Sequence, residues 1–260
     1  MAKAVVSTKK ESTVPAELEK QFEAFEMGGF ENADIDSYAV PFLRILQGLS
    51  PQVNEDDSDV YIEGAKPGMF YNTVSSKVYG KEIEVIPVTF YREFIEWAPN
   101  RGGFVRAHGP NPAILEQCVR NDRNQDVLPN GNVVQDTRCH IVLLANEIEA
   151  GPMLFPLVST GIRHSKKWMS LMRMMRTPGG KSCPMFSCRW KLWTVLNKND
   201  DGSWYMIGDR SLHAVEYVGW VNAQQWSAAI EAKKLFDAGR TKVDYSSGLE
   251  PGSSDEGTPF

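Results

Sequence analysis

Between Gly151 and Asn199 the chain carries Arg163, Lys166, Lys167, Arg173, Arg176, Lys181, Arg189, Lys191 and Lys198, and not one Asp or Glu. The net charge of the whole chain is −5, so these nine cations leave −14 for the remainder. The acid is local too, concentrated in the segment Pro15–Met27, in Asp56-Asp57-Ser58-Asp59 and near Asp255-Glu256. Lysine and arginine at this density neutralise phosphates, and aromatic rings interleaved with them stack unpaired bases. Trp193 stands beside Arg189 and Lys191, while Tyr91, Arg92 and Trp97 precede Arg101, Phe104 and Arg106 in a second aromatic and basic stretch. The expected interface is therefore Arg163, Lys166, Lys167, Arg173, Arg189, Lys191, Arg92 and Arg106 as the cations that track phosphates, with Trp193 and Tyr91 as the rings that contact bases. The competing reading of such a block is a solvated charged face.

Other chemistry is poorly supported. The histidines His108, His140, His164 and His213 show no metal-binding spacing, and no nucleophile elbow is present. Pro178-Gly179-Gly180-Lys181-Ser182 ends like a phosphate-binding loop, but Met175 stands where the motif needs its first glycine. Of the four cysteines, Cys183 and Cys188 form one loose pair and Cys139 adjoins His140; these are weak zinc candidates, with buried core thiols the favoured reading. Glu82, Glu84 and Glu96 share a strand face by parity and are the nearest approach to a two-metal nuclease set, provided Pro87 does not break the register. No cofactor and no enzymatic activity are expected.

The elements that must position the cations follow from periodicity. Trp168, Leu171, Met172 and Met175 recur at i, i+3, i+4 and i+7, so a helix over Ile162–Met175 would turn this stripe inward and Arg163, Lys166, Lys167 and Ser170 outward. In the strand Met185–Leu196, Phe186, Cys188, Trp190, Leu192 and Leu196 point one way, and Ser187, Arg189, Lys191 and Trp193 the other. Trp190 should be buried and Trp193 at least partly exposed. Trp204–Gly208 returns this strand as a hairpin. Further strands are expected near Ile83–Ile95, with Pro87 at an edge or bulge, and at Phe104–Ala107, Cys139–Ala145 and Met153–Val158. Short helices are expected at Pro41–Leu49 and Pro112–Val119, and a last one from an N-cap at Asn222 to about Ala238. The sum is a mostly β protein with peripheral helices, an α+β arrangement.

A length of 260 residues with 42% hydrophobic content suits one large domain. Residues 1–14 read as a disordered arm, 15–240 as one globular domain and 241–260 as a disordered acidic tail. No run approaches the ~18 apolar residues of a membrane helix, so a cytoplasmic protein without membrane contact is expected. The tail carries Asp255 and Glu256, then Pro259 and Phe260, an apolar ring behind two acids. That composition reads as a docking tip for a partner pocket with a basic rim.

These four tail residues resemble the C-terminal tip of bacterial and phage single-stranded DNA-binding proteins, which closes on Phe after a run of acids. Two acids stand here, set off by Gly257-Thr258. The segments Tyr61-Ile62-Glu63-Gly64-Ala65-Lys66-Pro67-Gly68-Met69 and Phe94-Ile95-Glu96-Trp97, with Gly102-Gly103 after them, are similar to a family of tailed-phage replication-module proteins, some described as single-stranded DNA-binding. The resemblance implies an OB-type β-barrel core that binds single-stranded DNA in phage replication or recombination. It also implies a tail that recruits a polymerase, helicase or nuclease. A phage structural or assembly protein and a metal-dependent nuclease are the alternatives.

Overall fold

A computed structural model describes residues 40–56, 59–100, 102–199, 202–208 and 215–237, with Gly29 and Tyr245 besides. Apart from Gly29, all of these belong to the compact unit Ala39–Phe260. The expected arm, the helix over Pro15–Met27 and the tail residues Asp255, Glu256, Pro259 and Phe260 lie outside the described residues.

The strands are β1 (Leu43–Ile45), β2 (Phe70–Asn72), β3 (Glu82–Trp97), β4 (Phe104–Ala107), β5 (Val119–Arg120), β6 (Asp126–Val127), β7 (Val133–Leu144), β8 (Met153–Val158), β9 (Cys188–Asn199), β10 (Gly202–Ile207) and β11 (Val215–Trp220). The α-helices with bounds among the described residues are α1 (Gly161–Met174) and α2 (Ala223–Asp237). Nine strands form one antiparallel sheet in the order β10-β9-β3-β7-β6-β5, with β11 on β9, β4 on β3 and β8 on β7; β1 and β2 pair separately. The sheet curls into a half-barrel, consistent with the expected OB-like β core, and the helices are peripheral.

Long strands are apolar on both faces because both faces are covered. On one side Ile83, Val85, Val142, Phe155, Trp190 and Leu192 pack with Trp168 and Met172 of α1. On the other, Ile86, Val88, Cys139, Ile141 and Leu143 pack with Ala229 and Ala232 of α2 and with Tyr245. Pro87 cannot donate to a ladder, and it sits where the β3–β7 register shifts between Pro87 and Thr89. The bulge inverts parity: Ile86 and Val88 before it face the same cluster as Ile95 after it.

The expected helix at Pro41–Leu49 is instead strand β1. Phe42 feeds one core cluster and Leu43 the other. Only an extended chain sends successive side chains to opposite sides in this way. Leu196, expected in the core, is exposed, and Asn197 is buried in its place. The cause is that β3 pairs with β9 only as far as Trp193, so the end of β9 is held by β10 alone. Asn197 Nδ2 donates there to the Val195 and Gly208 carbonyls at 3.1 and 3.3 Å.

The start of α2 follows the sequence closely. Gln225 N–H donates to Asn222 Oδ1 at 2.8 Å and Asn222 N–H donates to Gln225 Oε1 at 3.0 Å, a reciprocal capping box. Gln225 Nε2 also donates to the Ala145 carbonyl at 2.8 Å, which pins the helix to the end of β7. Gly68 is required by both conformation and space. Its φ is +88°, and an added Cβ would stand 2.5 Å from the Tyr205 ring.

Tyr245 packs edge-on against Phe42, with ring centroids 6.2 Å apart, and stacks on Phe104 at 5.7 Å. Its hydroxyl lies 3.2 Å from that of Tyr91 and 3.7 Å from Cys139 Sγ. Burial raises the Tyr245 hydroxyl well above its ordinary pKa and pushes the Cys139 thiol up to about 12. Tyr245→Phe removes one buried hydroxyl pair and keeps the ring. It is expected to cost about 1 kcal/mol in chemical denaturation.

Candidate nucleic-acid interface

Helix α1 presents the expected two faces. Trp168 and Met172 are buried, Leu171 and Met175 half-buried, and Arg163, Lys166, Ser170 and Arg173 exposed, with Lys167 half-buried. His140 fixes the buried face, since the indole of Trp168 stacks on its ring at 4.8 Å and Ser165 Oγ lies 2.7 Å from its Nε2. Burial lowers the His140 pKa to about 3, with the Arg138 charge adding to the shift, so the imidazole is neutral at physiological pH. Among the described residues no carboxylate pairs with Arg163, Lys166 or Arg173.

The cations of β9 are placed differently. Arg189 Nη1 meets Glu84 Oε2 at 3.2 Å, and Lys191 Nζ meets Glu82 Oε2 at 2.5 Å. The sheet register sets Glu84 beside Lys191 and Glu82 beside Trp193, and it brings Glu216 of β11 against Lys191 from the other side. A block without acids in sequence thus acquires three from neighbouring strands. Trp193 is half-exposed on this mixed-charge face and Trp190 is buried on the opposite one, as alternation requires.

Tyr91, Arg92 and Arg106 stand apart from α1 and are engaged within the fold. The Tyr91 ring packs in the α2-side cluster and its hydroxyl is on Tyr245. Arg92 makes a two-pronged contact with Asp136 at 2.9 and 2.8 Å and lies 4.3 Å over the Phe94 ring. Arg106 Nε donates to Glu96 Oε2 at 2.7 Å.

Glu96 itself is 1% exposed. It accepts from Arg106, from His108 Nε2 at 2.7 Å and from Asn132 Nδ2 at 2.6 Å. Because the bulge at Pro87 inverts parity, Glu96 faces away from Glu82 and Glu84, and the three carboxylates of the nuclease reading do not gather. Cys183 is half-buried with its Sγ 3.8 Å from the Lys181 carbonyl, while Cys188 is buried beside Ser187. Among the described residues no group of three or more potential ligands is placed to hold a metal ion.

Strand β11 is an addition to the elements expected from periodicity, although Val-Glu-Tyr-Val-Gly-Trp has the alternation of one. It pairs with β9 and leaves Tyr217, Val218 and Trp220 exposed. Tyr217 packs edge-on against both Trp190 and Trp220, at 6.0 and 6.2 Å. A groove runs between β11, the start of α2 and the loop that follows α1, with Trp220, Trp226, Thr177 and Cys183 among its lining residues.

A curled β half-barrel with outlying helices, one of which exposes Arg163, Lys166 and Arg173 to solvent, defines an α+β protein with a basic helix face. The chain belongs to the Pam3 phage gp34-like protein family, whose family model matches residues 8–242. It is a phage-associated protein. No curated protein and no solved structure matches it. Among the described residues no helix is long and apolar enough to cross a membrane.

Proposed function

We propose that the protein binds single-stranded DNA without sequence preference, in a phage replication or recombination module, along the outer face of α1 and the loop after it. The observation that supports this most is the contrast between two sets of cations. Arg189 and Lys191 are matched by carboxylates, whereas Arg163, Lys166 and Arg173 of α1 are exposed and in no carboxylate pair among the described residues. An ion-paired cation must exchange one partner for another on binding phosphate. An unpaired one gains an anion and releases the counterion it held, which favours the polyanion at low salt. The same row continues beyond the helix in exposed Arg176 and Lys181.

The test is fluorescence anisotropy with labelled oligothymidine over a range of salt. The triple variant Arg163→Ala, Lys166→Ala and Arg173→Ala is expected to bind more weakly and to flatten the log–log salt slope by about 2, at ~0.7 per phosphate contact on a single strand. Lys233→Ala, which removes a cation already paired with Asp237 on α2, is expected to change neither. Unchanged affinity and slope in the triple variant would overturn the proposal.

A further inference from the structure

We propose that the groove between β11 and the loop after α1 holds the unstacked bases of the strand whose phosphates run along α1; this rests on the nucleic-acid reading above. Its floor is aromatic. Trp220 is 42% exposed on an edge strand, and Trp226 is half-buried, tilted against Phe186 at 5.1 Å. The exposed indole is held rather than loose: Tyr217 packs against its ring, and Arg189 Nε donates to its carbonyl at 3.3 Å. A preset ring is what stacking needs, since little side-chain freedom remains to be lost when a base arrives.

Charge stands beside the facing wall. The loop folds back on itself, with Arg176 and Ser182 bridged and Thr177 N–H donating to the Lys181 carbonyl at 2.8 Å. Gly180 takes the positive φ of the turn, +79°. Arg176 and Lys181, both exposed, thus adjoin the lining residues Thr177 and Ser182 in the chain. Arg176 Nη1 donates to carbonyls at the end of α1, those of Arg173 and Met175, at 2.7 and 2.8 Å. Among the described residues no carboxylate lines the groove.

Two exposed cations thus stand beside one wall, and the other carries an exposed indole. The occupant that matches both is a chain with flat apolar faces and a negative charge on every unit, which is a single strand. A duplex presents the charge but keeps its bases stacked inside, so it matches the loop and not the floor. An apolar peptide matches the floor and leaves Arg176 and Lys181 unanswered.

The experiment compares the wild-type protein with Trp220→Leu, which keeps an apolar side chain at an exposed position and removes the ring. The probes are oligothymidine and an abasic oligonucleotide of the same length. Oligothymidine affinity is expected to fall about tenfold or more in Trp220→Leu, the loss of one base stack, while the abasic strand binds both proteins equally. If Trp220→Leu binds oligothymidine as the wild type does while the triple α1 variant is weakened, the groove is not the base site and the α1 reading stands. If the wild type binds neither probe, both readings fall. Trp220→Phe, which restores a ring, is expected to recover most of the affinity. Failure to recover it would overturn stacking as the cause.

Discussion

Trp168→Ala is expected to lower folding stability by about 3–5 kcal/mol, the largest effect of any single substitution in the body. The indole is fully buried between α1 and the sheet, at the centre of the cluster formed by Val142, Phe155 and Trp190. It also stacks on His140, whose ring meets Phe90 at 5.0 Å as well. Deleting it opens a cavity next to a desolvated imidazole and loosens the helix that carries the exposed cations. Trp168→Phe is the informative control. Nε1 of Trp168 has no hydrogen-bond partner among the described residues, so the smaller ring loses volume but also removes an unsatisfied donor, and the cost is expected to stay near ~1.5 kcal/mol. Urea unfolding measures both. A Trp168→Ala protein of wild-type stability would mean that α1 is not anchored through this ring.

The second large effect is acid unfolding through Glu96. Burial alone would raise its pKa, but the hydrogen bonds from Asn132, Arg106 and His108, with the Arg106 charge, outweigh burial and bring it from 4.5 down to about 2. A carboxylate whose folded pKa lies below its unfolded value stabilises the fold at pH above the unfolded pKa. That contribution is lost as pH falls from about 4.5 towards 2. A shift of this size corresponds to about 3 kcal/mol at neutral pH. Glu96→Gln is expected to remove a comparable amount at pH 7, because an amide cannot accept from all three donors, and to flatten the acid limb between pH 4.5 and 2. Thermal midpoints measured across that range decide it. A variant whose acid limb keeps the wild-type slope would place the titration elsewhere.

Helix α1 is legible in the sequence, because its two faces are written in a single 3.6-residue period from Trp168 to Met175. So is the burial of Trp190 against the exposure of Trp193, a matter of strand parity alone. The neutralisation of Arg189 and Lys191 is not. It depends on Glu82 and Glu84 lying about 100 residues earlier in the chain, brought alongside by sheet register. The same holds for Glu96, whose separation from Glu82 and Glu84 turns on one extra residue at the Pro87 bulge. Strand β1 passes for a helix because Phe42, Leu43, Ile45 and Leu46 are spaced closely enough for one. What decides between helix and strand there is the presence of two cores on opposite sides. Trp220 gives no comparable signal, since β11 is short, half-exposed and interrupted by Gly219, so its alternation carries little apolar weight.

The docking of Tyr245 has a consequence for the acids beyond it. Eleven peptide links separate Glu256 from Tyr245, so the chain between them can span at most about 40 Å, at ~3.3–3.6 Å per residue. Any encounter between Asp255 or Glu256 and the protein's own cations is then unimolecular, governed by an effective concentration in the millimolar range rather than by the amount of protein in solution. Dilution does not relieve such a contact. Added salt does, because the attraction is screened over a Debye length of ~8 Å at physiological ionic strength.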